Sequence, residues 1–420
     1  MKTIWIIDHY SSEPKYGGIS RQYDFAIELS KRGYKVIIIS SGFSHYTHSY
    51  IGLSNNQNFF ISQIDDNAFY VYLKTTKYKS NNGFGRMFNM FSFMFATLRY
   101  YNQFAKKLGR PDVVEGASVH PLSWIAAYSI SKRYGVRFIA EVRDFWPEMW
   151  LLSNERKSYD PMVIFFSIVE KWAYRKADKI VYSLLYGDNY LHGKLKIPRD
   201  KILLIGQPLN CERFDEYAAT KVNIVPEKVK QFMQNSFVCI FTGYYMEYEG
   251  VYVMLKAAVL LKERKIPVKM LFLGSGKEAA GMNEFVKDNS LNNVMIGERV
   301  NKEAIPSLLR HADICMAHAA TKESKQTLIY GMSKNKINEY MYSGACIIFG
   351  REDENDPVAR SGAGFVIKPY SAVEFANKIE IVYKMSEEDR KQFGENGKKY
   401  MRQYHNTCIL TDKLISVLEP

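Results

Sequence analysis

Several features are scarce in this chain of 420 residues, and each scarcity excludes a class of protein. The five cysteines are odd in number and far apart, so neither a disulfide framework nor a zinc site is expected. No apolar run approaches the roughly 18 to 20 residues that a membrane-spanning helix needs. The opening MKTIWIIDHY lacks the apolar region and cleavage site of a signal peptide. We therefore expect a cytoplasmic protein.

Acidic residues are absent from position 71 to position 110, and the whole chain has a formal net charge of +13. Such a charge suits an acidic partner, whether nucleic acid, an anionic membrane or a phosphorylated substrate. The acid-free stretch mixes cations with aromatic rings, among them Lys74, Lys77, Arg86, Phe88, Phe91, Phe95, Arg99 and Tyr100. Two interpretations stay open: an interfacial surface that contacts anionic lipid, or a core helix from Met87 to Tyr101 flanked by solvated lysines.

Short apolar strands alternate with helices along both halves of the chain, which predicts βαβ units and parallel sheets. The first half starts with a strand at 3–7, and the pattern starts again with a strand at 237–242. Three prolines mark 196–226 as a linker. We predict two doubly wound α/β domains, at 1–200 and 201–395, with a helix at about 396–420 that packs back on the first. Open parallel sheets bind ligands at the carboxyl ends of their strands.

The segment GMSKNKINEYMYSG places Lys336 and Glu339 three residues apart, on one face of the first turn of a helix. A helix N-terminus attracts anions, so a lysine there favours a phosphate, and the carboxylate can accept hydrogen bonds from sugar hydroxyls. An ordinary ion pair on a surface helix is the alternative.

Three other loops follow predicted strands. Gly17 and Gly18 open a helix and allow close approach of a ligand, or form a plain turn. The motif EVRDFWPE contains Glu141, Arg143 and Asp144, which form either a site or an ion-pair network. His120 is a catalyst or a packing residue. Gly243 and Gly274 leave main-chain N–H groups free for phosphates, but neither belongs to a Walker or dinucleotide-binding motif.

Together, these motifs resemble the GT-B glycosyltransferases of family 4, especially the bacterial branch of fucosamine- and N-acetylhexosamine-transferases that builds surface polysaccharides such as capsule and O-antigen. The likeness covers nearly the whole chain, and EVRDFWPE and SKNKINEYM are its most specific parts. It implies two Rossmann-like domains facing a central cleft, and a retaining, metal-independent hexosyltransferase without a cofactor. The second domain would hold a nucleotide sugar, most often UDP-linked.

The resemblance also implies roles for single residues. Lys336 would neutralise the diphosphate, Glu339 would accept hydrogen bonds from the ribose, and Asp144 would stabilise the cationic sugar. The expected catalytic group is Asp144, Glu141, Arg143 and His120. The expected donor-binding group is Gly17, Gly18, Gly243, Gly274, Arg299, Val300, Asn335, Lys336 and Glu339.

Some positions depart from the family pattern. Tyr244 and Glu249 stand where the wider family has an arginine and a lysine, and Gly331 replaces the first glutamate of a paired-glutamate motif. We therefore expect Lys336 to act alone on the diphosphate. The acidic Glu249 beside a diphosphate is unexpected.

The basic aromatic stretch, combined with the family, predicts a lipid-linked acceptor, of the polyprenyl-diphosphate saccharide kind, and a peripheral position at the inner face of the cytoplasmic membrane. A saccharide without lipid is the other acceptor that we expect. Nucleic acid is not expected as a partner. Two alternatives remain: a UDP-sugar 2-epimerase, which shares the GT-B architecture, and a non-enzymatic basic protein that binds nucleic acid.

Overall fold

The structure is a computed structural model of the chain. It describes residues 1–17, 20–45, 47–54, 56–79, 84–118, 120–319, 329–331, 334–351, 353 and 356–419. These residues form two compact units. The first consists of Met1–Pro208, Gln326–Ser333 and Thr407–Pro420, and the second of Leu209–Lys325 and Lys334–Asn406.

The first unit is built on an eight-stranded sheet with the order β3-β4-β2-β1-β5-β6-β7-β8. Its strands are β1 (Thr3–Ile7), β2 (Lys35–Ser41), β3 (Phe59–Asp65), β4 (Ala68–Leu73), β5 (Val113–Ala117), β6 (Arg137–Val142), β7 (Lys179–Tyr182) and β8 (Ile202–Leu204). Among the described strands of this sheet, the edge strand β3 alone pairs antiparallel, with β4. Every residue of β1 is buried, as expected for an apolar central strand of a parallel sheet.

Helices before β8 connect these strands: α1 (Arg21–Lys31), α2 (Phe84–Leu108), α3 (Leu122–Tyr134), α4 (Glu148–Leu152) and α5 (Pro161–Lys176). Local sequence sets their ends. The Asp160 side chain accepts a hydrogen bond from the Met162 N–H, and Pro161 occupies the first turn of α5, where its missing N–H costs nothing. α3 stops at Gly135, whose φ of 68° is left-handed.

The second unit contains a six-stranded parallel sheet with the order β11-β10-β9-β12-β13-β14. Its strands are β9 (Phe237–Tyr244), β10 (Val268–Ser275), β11 (Val294–Gly297), β12 (Ile314–His318), β13 (Cys346–Gly350) and β14 (Gly364–Ile367). Its helices are α6 (Cys211–Thr220), α7 (Glu227–Met233), α8 (Val251–Glu263), α9 (Ala279–Asp288), α10 (Ile305–Arg310), α11 (Asn335–Ser343), α12 (Pro357–Ser361), α13 (Ala372–Lys384) and α14 (Glu387–Tyr404).

The last helix, α15 (Thr407–Leu418), belongs to the first unit. Its apolar face, with Leu410 and Leu414, is buried in one core cluster with Phe25 and Leu29 of α1. The first part of the helix predicted at about 396–420, residues 396–404, is the end of α14 and belongs to the second unit. The chain passes between the units at 208–209, 325–326, 333–334 and 406–407.

The prediction of α/β architecture with doubly wound parallel sheets is confirmed. The predicted linker, 196–226, contains the passage from the first unit to the second at 208–209, and the residues on either side of that passage form β8 and α6. Each sheet has a point where consecutive connections leave in opposite directions: between β1 and β5 in the first unit, and between β9 and β12 in the second. Ligands of open α/β sheets bind at such points.

Candidate active site

Two histidines lie at the switch point of the first sheet. His9 follows β1 and His120 follows β5, and both side chains are buried. The Nδ1 atom of His9 is 2.6 Å from Nε2 of His120, and its Nε2 atom is 2.7 Å from Oδ1 of Asn89 on α2. The Tyr10 and Phe93 rings stack on the His9 ring, with centroids 4.4 and 4.6 Å away. The ring of His9 is therefore fixed from several sides.

Arg143 and Asp144 follow β6, the next strand of the same sheet. The Arg143 guanidinium is 2.9 Å from the Asp8 carboxylate and donates to the Ser118 carbonyl oxygen at 2.7 Å. Asp144 is partly exposed, and its carboxylate makes no hydrogen bond to the described residues. Burial raises the pKa of Asp144 above its ordinary value, against the lowering effect of the Arg143 charge. The Asp144 carboxylate is therefore available to stabilise a positive charge that develops nearby.

Glu141 is engaged inside the first unit. Its carboxylate accepts hydrogen bonds from the buried guanidinium of Arg21 at 2.6 Å and from the Gln22 amide at 2.5 Å. Arg21 in turn donates to the carbonyl oxygens of Ile205 and Gly206. Glu141 therefore fits the interpretation of EVRDFWPE as an ion-pair network. Asp144 remains a candidate for a ligand-binding site.

Gly17 ends a short 3-10 turn at Pro14–Tyr16 with a left-handed φ of 66°. Its N–H donates to the Pro14 carbonyl oxygen at 3.0 Å, so this N–H is used inside the turn. Gly18, the other half of the predicted loop, lies outside the described residues.

In the second unit, two of the predicted glycines allow the backbone to pass very closely. A Cβ atom at Gly274 would come within 1.8 Å of the Gly243 carbonyl oxygen, and one at Gly243 would meet Nζ of Lys336 at 3.2 Å. Gly243 also has a φ of 149°. Both positions therefore need glycine, and the amino group of Lys336 lies directly over the end of β9.

Two lysines converge on one carboxylate at the switch point of the second sheet. Lys336 forms an ion pair with Glu249, and Nζ of Lys334 lies 2.9 Å from the same carboxylate. Glu249 is buried at the end of a 3-10 turn, Glu247–Glu249, that follows β9. Burial lowers the pKa of Lys336 to about 8, although Glu249 opposes the shift. The expectation that Lys336 acts alone needs correction, because Lys334 brings a second cation to the same place.

The remaining donor-binding predictions are spread over this unit. Asn335 and Glu339 lie on α11 with Lys336, and the side chain of Lys334, the residue at the start of that helix, does not cap it. Arg299 and Val300 follow β11, the edge strand, and the Arg299 side chain is exposed. Gly331 has a left-handed φ of 88°, and a Cβ atom there would meet the Leu185 backbone at 3.0 Å. A glutamate at this position would be strained, which explains why glycine replaces it.

Sequence reasoning missed His9, Asn89 and Lys334. His9 stands only two residues after β1, and Lys334 two residues before Lys336, so their positions at strand and helix ends were available signals. The partners of these residues could not be found from the local sequence, because Asn89 is 80 residues from His9 and Glu249 is 85 residues from Lys334.

Models of known protein families match both halves of the chain. The model of Glycosyltransferase Family 4 matches residues 16–213, and the model of glycosyl transferases group 1 matches residues 226–400. No curated protein sequence matches the chain.

Solved structures share the fold over nearly full length. Sucrose-phosphate synthase from Thermosynechococcus elongatus has a TM-score of 0.71 at 14% identity and covers 99% of this chain and 98% of its own. Anabaena HepE, solved with UDP, has a TM-score of 0.65 at 12% identity, with coverage of 100% and 99%. WaaG, a glycosyltransferase involved in lipopolysaccharide biosynthesis, has a TM-score of 0.64 at 12% identity, with 99% of each chain covered. The chain therefore belongs to the glycosyltransferases, as a family 4 type enzyme with the GT-B fold.

Proposed function

We propose that this enzyme is a retaining, metal-independent transferase that moves a sugar from a UDP-linked donor to a lipid-linked saccharide during surface polysaccharide synthesis. The observation that carries the donor assignment is the convergence of Lys334 and Lys336 at the switch point of the second sheet. When the bond from the sugar to the diphosphate breaks, the leaving group gains negative charge. Fixed cations in a partly buried site stabilise that charge.

UDP as the nucleotide is supported by the related folds, since the HepE structure contains UDP. In the proposed reaction the acceptor hydroxyl forms a new bond to the anomeric carbon, UDP departs with the bonding electron pair, and the hydroxyl proton passes to the leaving phosphate. Lys334 and Lys336 bind the diphosphate, and Glu339 accepts hydrogen bonds from the ribose. In the first unit, Asp144 stabilises the positive charge on the sugar, and Arg143 and His120 hold polar groups of the substrate.

The lipid-linked acceptor is supported by the exposed face of α2. Phe84, Phe88 and Phe95 on this helix are 87%, 66% and 61% exposed. Together with Phe91 they follow helical spacing along one stripe, and Phe91 contacts Phe165 of α5, next to the exposed Ile164 and Ile168. Met90, Phe93 and Phe104 occupy the opposite, buried face. The buried face fits the interpretation of α2 as a core helix, and the exposed face supports the proposed contact with lipid.

An anionic membrane suits the exposed stripe, since aromatic side chains insert at headgroup depth and the neighbouring Arg99, Lys106 and Lys107 attract acidic lipid. Among the residues that the structure describes, no helix is both long and apolar enough to cross a bilayer. WaaG acts in lipopolysaccharide biosynthesis, which is a related kind of pathway. We propose peripheral attachment at the inner face of the cytoplasmic membrane.

A thermal-shift screen of nucleotides and nucleotide sugars tests the donor assignment, because a ligand that binds only the folded state raises the melting temperature. We expect UDP and one or more UDP-sugars to stabilise the wild type. The variants Lys336→Ala and Glu339→Ala should lose most of this shift and reduce turnover roughly 100-fold, in line with the loss of one charge-stabilising contact. Unchanged turnover in both variants would overturn the assignment.

Two controls separate the alternatives. Incubation with UDP-N-acetylglucosamine alone should give at most slow hydrolysis, whereas a 2-epimerase would form a new sugar nucleotide without acceptor. Activity that persists in EDTA is expected for a metal-independent enzyme. Steeply salt-dependent binding to nucleic acid, with no response to UDP-sugars, would instead favour a basic binding protein.

A further inference from the structure

The orientation of the Asn89 amide is fixed by its neighbours. Its Nδ2 atom donates to the carbonyl oxygen of Thr76 and, at 2.9 Å, to the hydroxyl of Thr75. A carbonyl oxygen can only accept a hydrogen bond, so the NH₂ group of the amide must lie on that side. The Oδ1 atom therefore faces His9, where it can only accept.

The orientation of the Asn89 amide determines which atom donates in the two hydrogen bonds of His9. Oδ1 of Asn89 lies 2.7 Å from Nε2 of His9, so this nitrogen carries the proton. Burial lowers the pKa of His9 to about 3, so the ring is neutral and its Nδ1 atom has only a lone pair. That lone pair faces Nε2 of His120 at 2.6 Å, so Nε2 of His120 must donate.

The second ring nitrogen of His120, Nδ1, takes no part in these hydrogen bonds. Burial lowers its pKa well below the ordinary value, so the ring is neutral and Nδ1 is unprotonated. This Nδ1 atom is inaccessible to solvent and has no hydrogen-bond partner among the described residues. The same holds for one donor nitrogen of the buried Arg143 side chain, whose charge acts on His120. Buried polar atoms are almost always satisfied, so a ligand is the natural partner for both.

We infer that His9 and Asn89 are positioning residues that hold His120 in the Nε2–H tautomer, so that its Nδ1 lone pair accepts a hydrogen bond from a sugar hydroxyl. A hydroxyl can both donate a hydrogen bond, as Nδ1 of His120 requires, and accept one, as the Arg143 nitrogen requires. The location supports this, since His9 and His120 lie at the switch point between β1 and β5. The choice of a sugar rests on the proposed function, whereas the tautomer does not.

The tautomer can be measured directly in the full-length protein. Protein labelled with ¹⁵N-histidine gives long-range ¹⁵N–¹H correlations that distinguish protonated from unprotonated ring nitrogens, and His120→Gln assigns the signals of His120. We expect the wild type to carry the His120 proton on Nε2. A proton on Nδ1, or a mixture of tautomers, would overturn the inference.

Substitutions at His9 test its positioning role. His9→Gln keeps one acceptor and one donor in the side chain and should preserve the tautomer of His120, whereas His9→Leu and Asn89→Leu should give mixed tautomers. His192→Gln is a matched control, because His192 bonds the Ile197 carbonyl oxygen elsewhere in the unit. In turnover assays we expect kcat about tenfold lower in His9→Leu, KM for the donor nearly unchanged, and recovery in His9→Gln. An unaltered tautomer in His9→Leu would contradict the role of His9.

A titration separates failure of this inference from failure of the proposed function. A UDP-sugar that stabilises the protein should shift the Nδ1 signal of His120, and UDP alone should not. Binding of the UDP-sugar without any change at Nδ1 would overturn the hydroxyl contact. If no nucleotide binds, the donor assignment itself fails, and the hydroxyl partner fails with it, while the tautomer measurement still decides the role of His9.

Discussion

At the scale of single residues, Glu249 has an unexpected position in the second unit. Its buried carboxylate lies between the two lysines that we assign to the diphosphate, and these lysines lower the pKa of Glu249 although burial opposes them. In this arrangement the carboxylate neutralises one of two positive charges. A diphosphate must therefore compete with an anion that the protein itself supplies.

Replacing Glu249 with glutamine should consequently strengthen binding of UDP, by about tenfold, because a like-charge contact is removed while the lysines remain. Isothermal titration calorimetry with UDP measures this change. Glu247→Gln is the matched control, since Glu247 is exposed on the same 3-10 turn. Weaker binding in Glu249→Gln would show that the carboxylate holds the lysines in place for the ligand instead of competing with it.

At this scale, sequence reasoning could predict which residues lie together only when they are close in the sequence. Lys336 and Glu339 are three residues apart, and both lie on α11. Arg21 and Glu141 are 120 residues apart, so their ion pair depends on how α1 and β6 meet in the fold. Spacing alone could not separate the ion-pair and site interpretations of EVRDFWPE, because the partners come from distant segments.

At the scale of secondary-structure elements, α2 presents different chemistry on its two faces, and this asymmetry can be tested. Replacing Phe88 and Phe95 together with serine should greatly reduce sedimentation with liposomes that contain acidic lipid, because two rings can no longer insert at headgroup depth. The melting temperature should change little, since both rings are exposed.

A control for this experiment is Tyr404→Ser, which removes a half-exposed ring on α14 of the second unit. Binding of the wild type should also weaken as salt is raised, because the attraction of lysine and arginine to acidic lipid is screened. If the double variant sediments like the wild type, the stripe on α2 is not the membrane surface.

α5 contains a carboxyl group that should make stability depend on pH. The Glu170 side chain is buried and accepts hydrogen bonds from the hydroxyls of Tyr174 at 3.1 Å and Tyr190 at 2.9 Å. Burial raises the pKa of Glu170 from 4.5 to about 8, although both hydrogen bonds oppose the shift. The folded state therefore holds a proton that the unfolded state releases above pH 4.5, and this contribution to stability is lost as pH rises towards 8.

Glu170→Gln should remove this loss of stability at higher pH, because glutamine stays neutral and can form hydrogen bonds with both tyrosine hydroxyls. We expect the free energy of unfolding of the variant, relative to the wild type, to increase by about 3 kcal/mol between pH 5 and pH 8. Urea unfolding at several pH values measures the difference, with the exposed Glu155→Gln as control. A constant difference across this range would contradict the raised pKa.

Prediction of elements from the sequence worked where apolar runs are bounded by glycine or polar residues, as at β1 and β9. It was incomplete at 196–226, where three prolines suggested a linker: the chain does change units there, at 208–209, but β8 and α6 occupy much of the stretch. Pro198 and Pro226 in fact stand directly before helical turns. Proline is tolerated at a helix start because no backbone N–H is needed there. Proline therefore marks boundaries between elements as well as their absence.

At the scale of the whole molecule, the chain returns to its first unit after completing the second. Leu414 on α15 is buried in the core formed with α1, so Leu414→Ala should lower the free energy of unfolding by about 2 to 5 kcal/mol. Denaturant unfolding measures this loss, with the exposed Lys413→Ala as control. Binding of UDP below the transition should persist, because the lysine pair lies in the other unit. A much smaller loss would mean that α15 contributes little to that core.

The return of α15 has a consequence for synthesis on the ribosome. β8 ends at Leu204 and α15 starts at Thr407, so the first unit cannot close its hydrophobic core until all of the second has been translated. Residues at the two ends of the first unit are neighbours, with Nζ of Lys2 3.4 Å from the Glu419 carboxylate. A circular permutant that begins with α15 and continues through a short connection into β1 would let nascent chains pack α15 against α1 before the second unit is made.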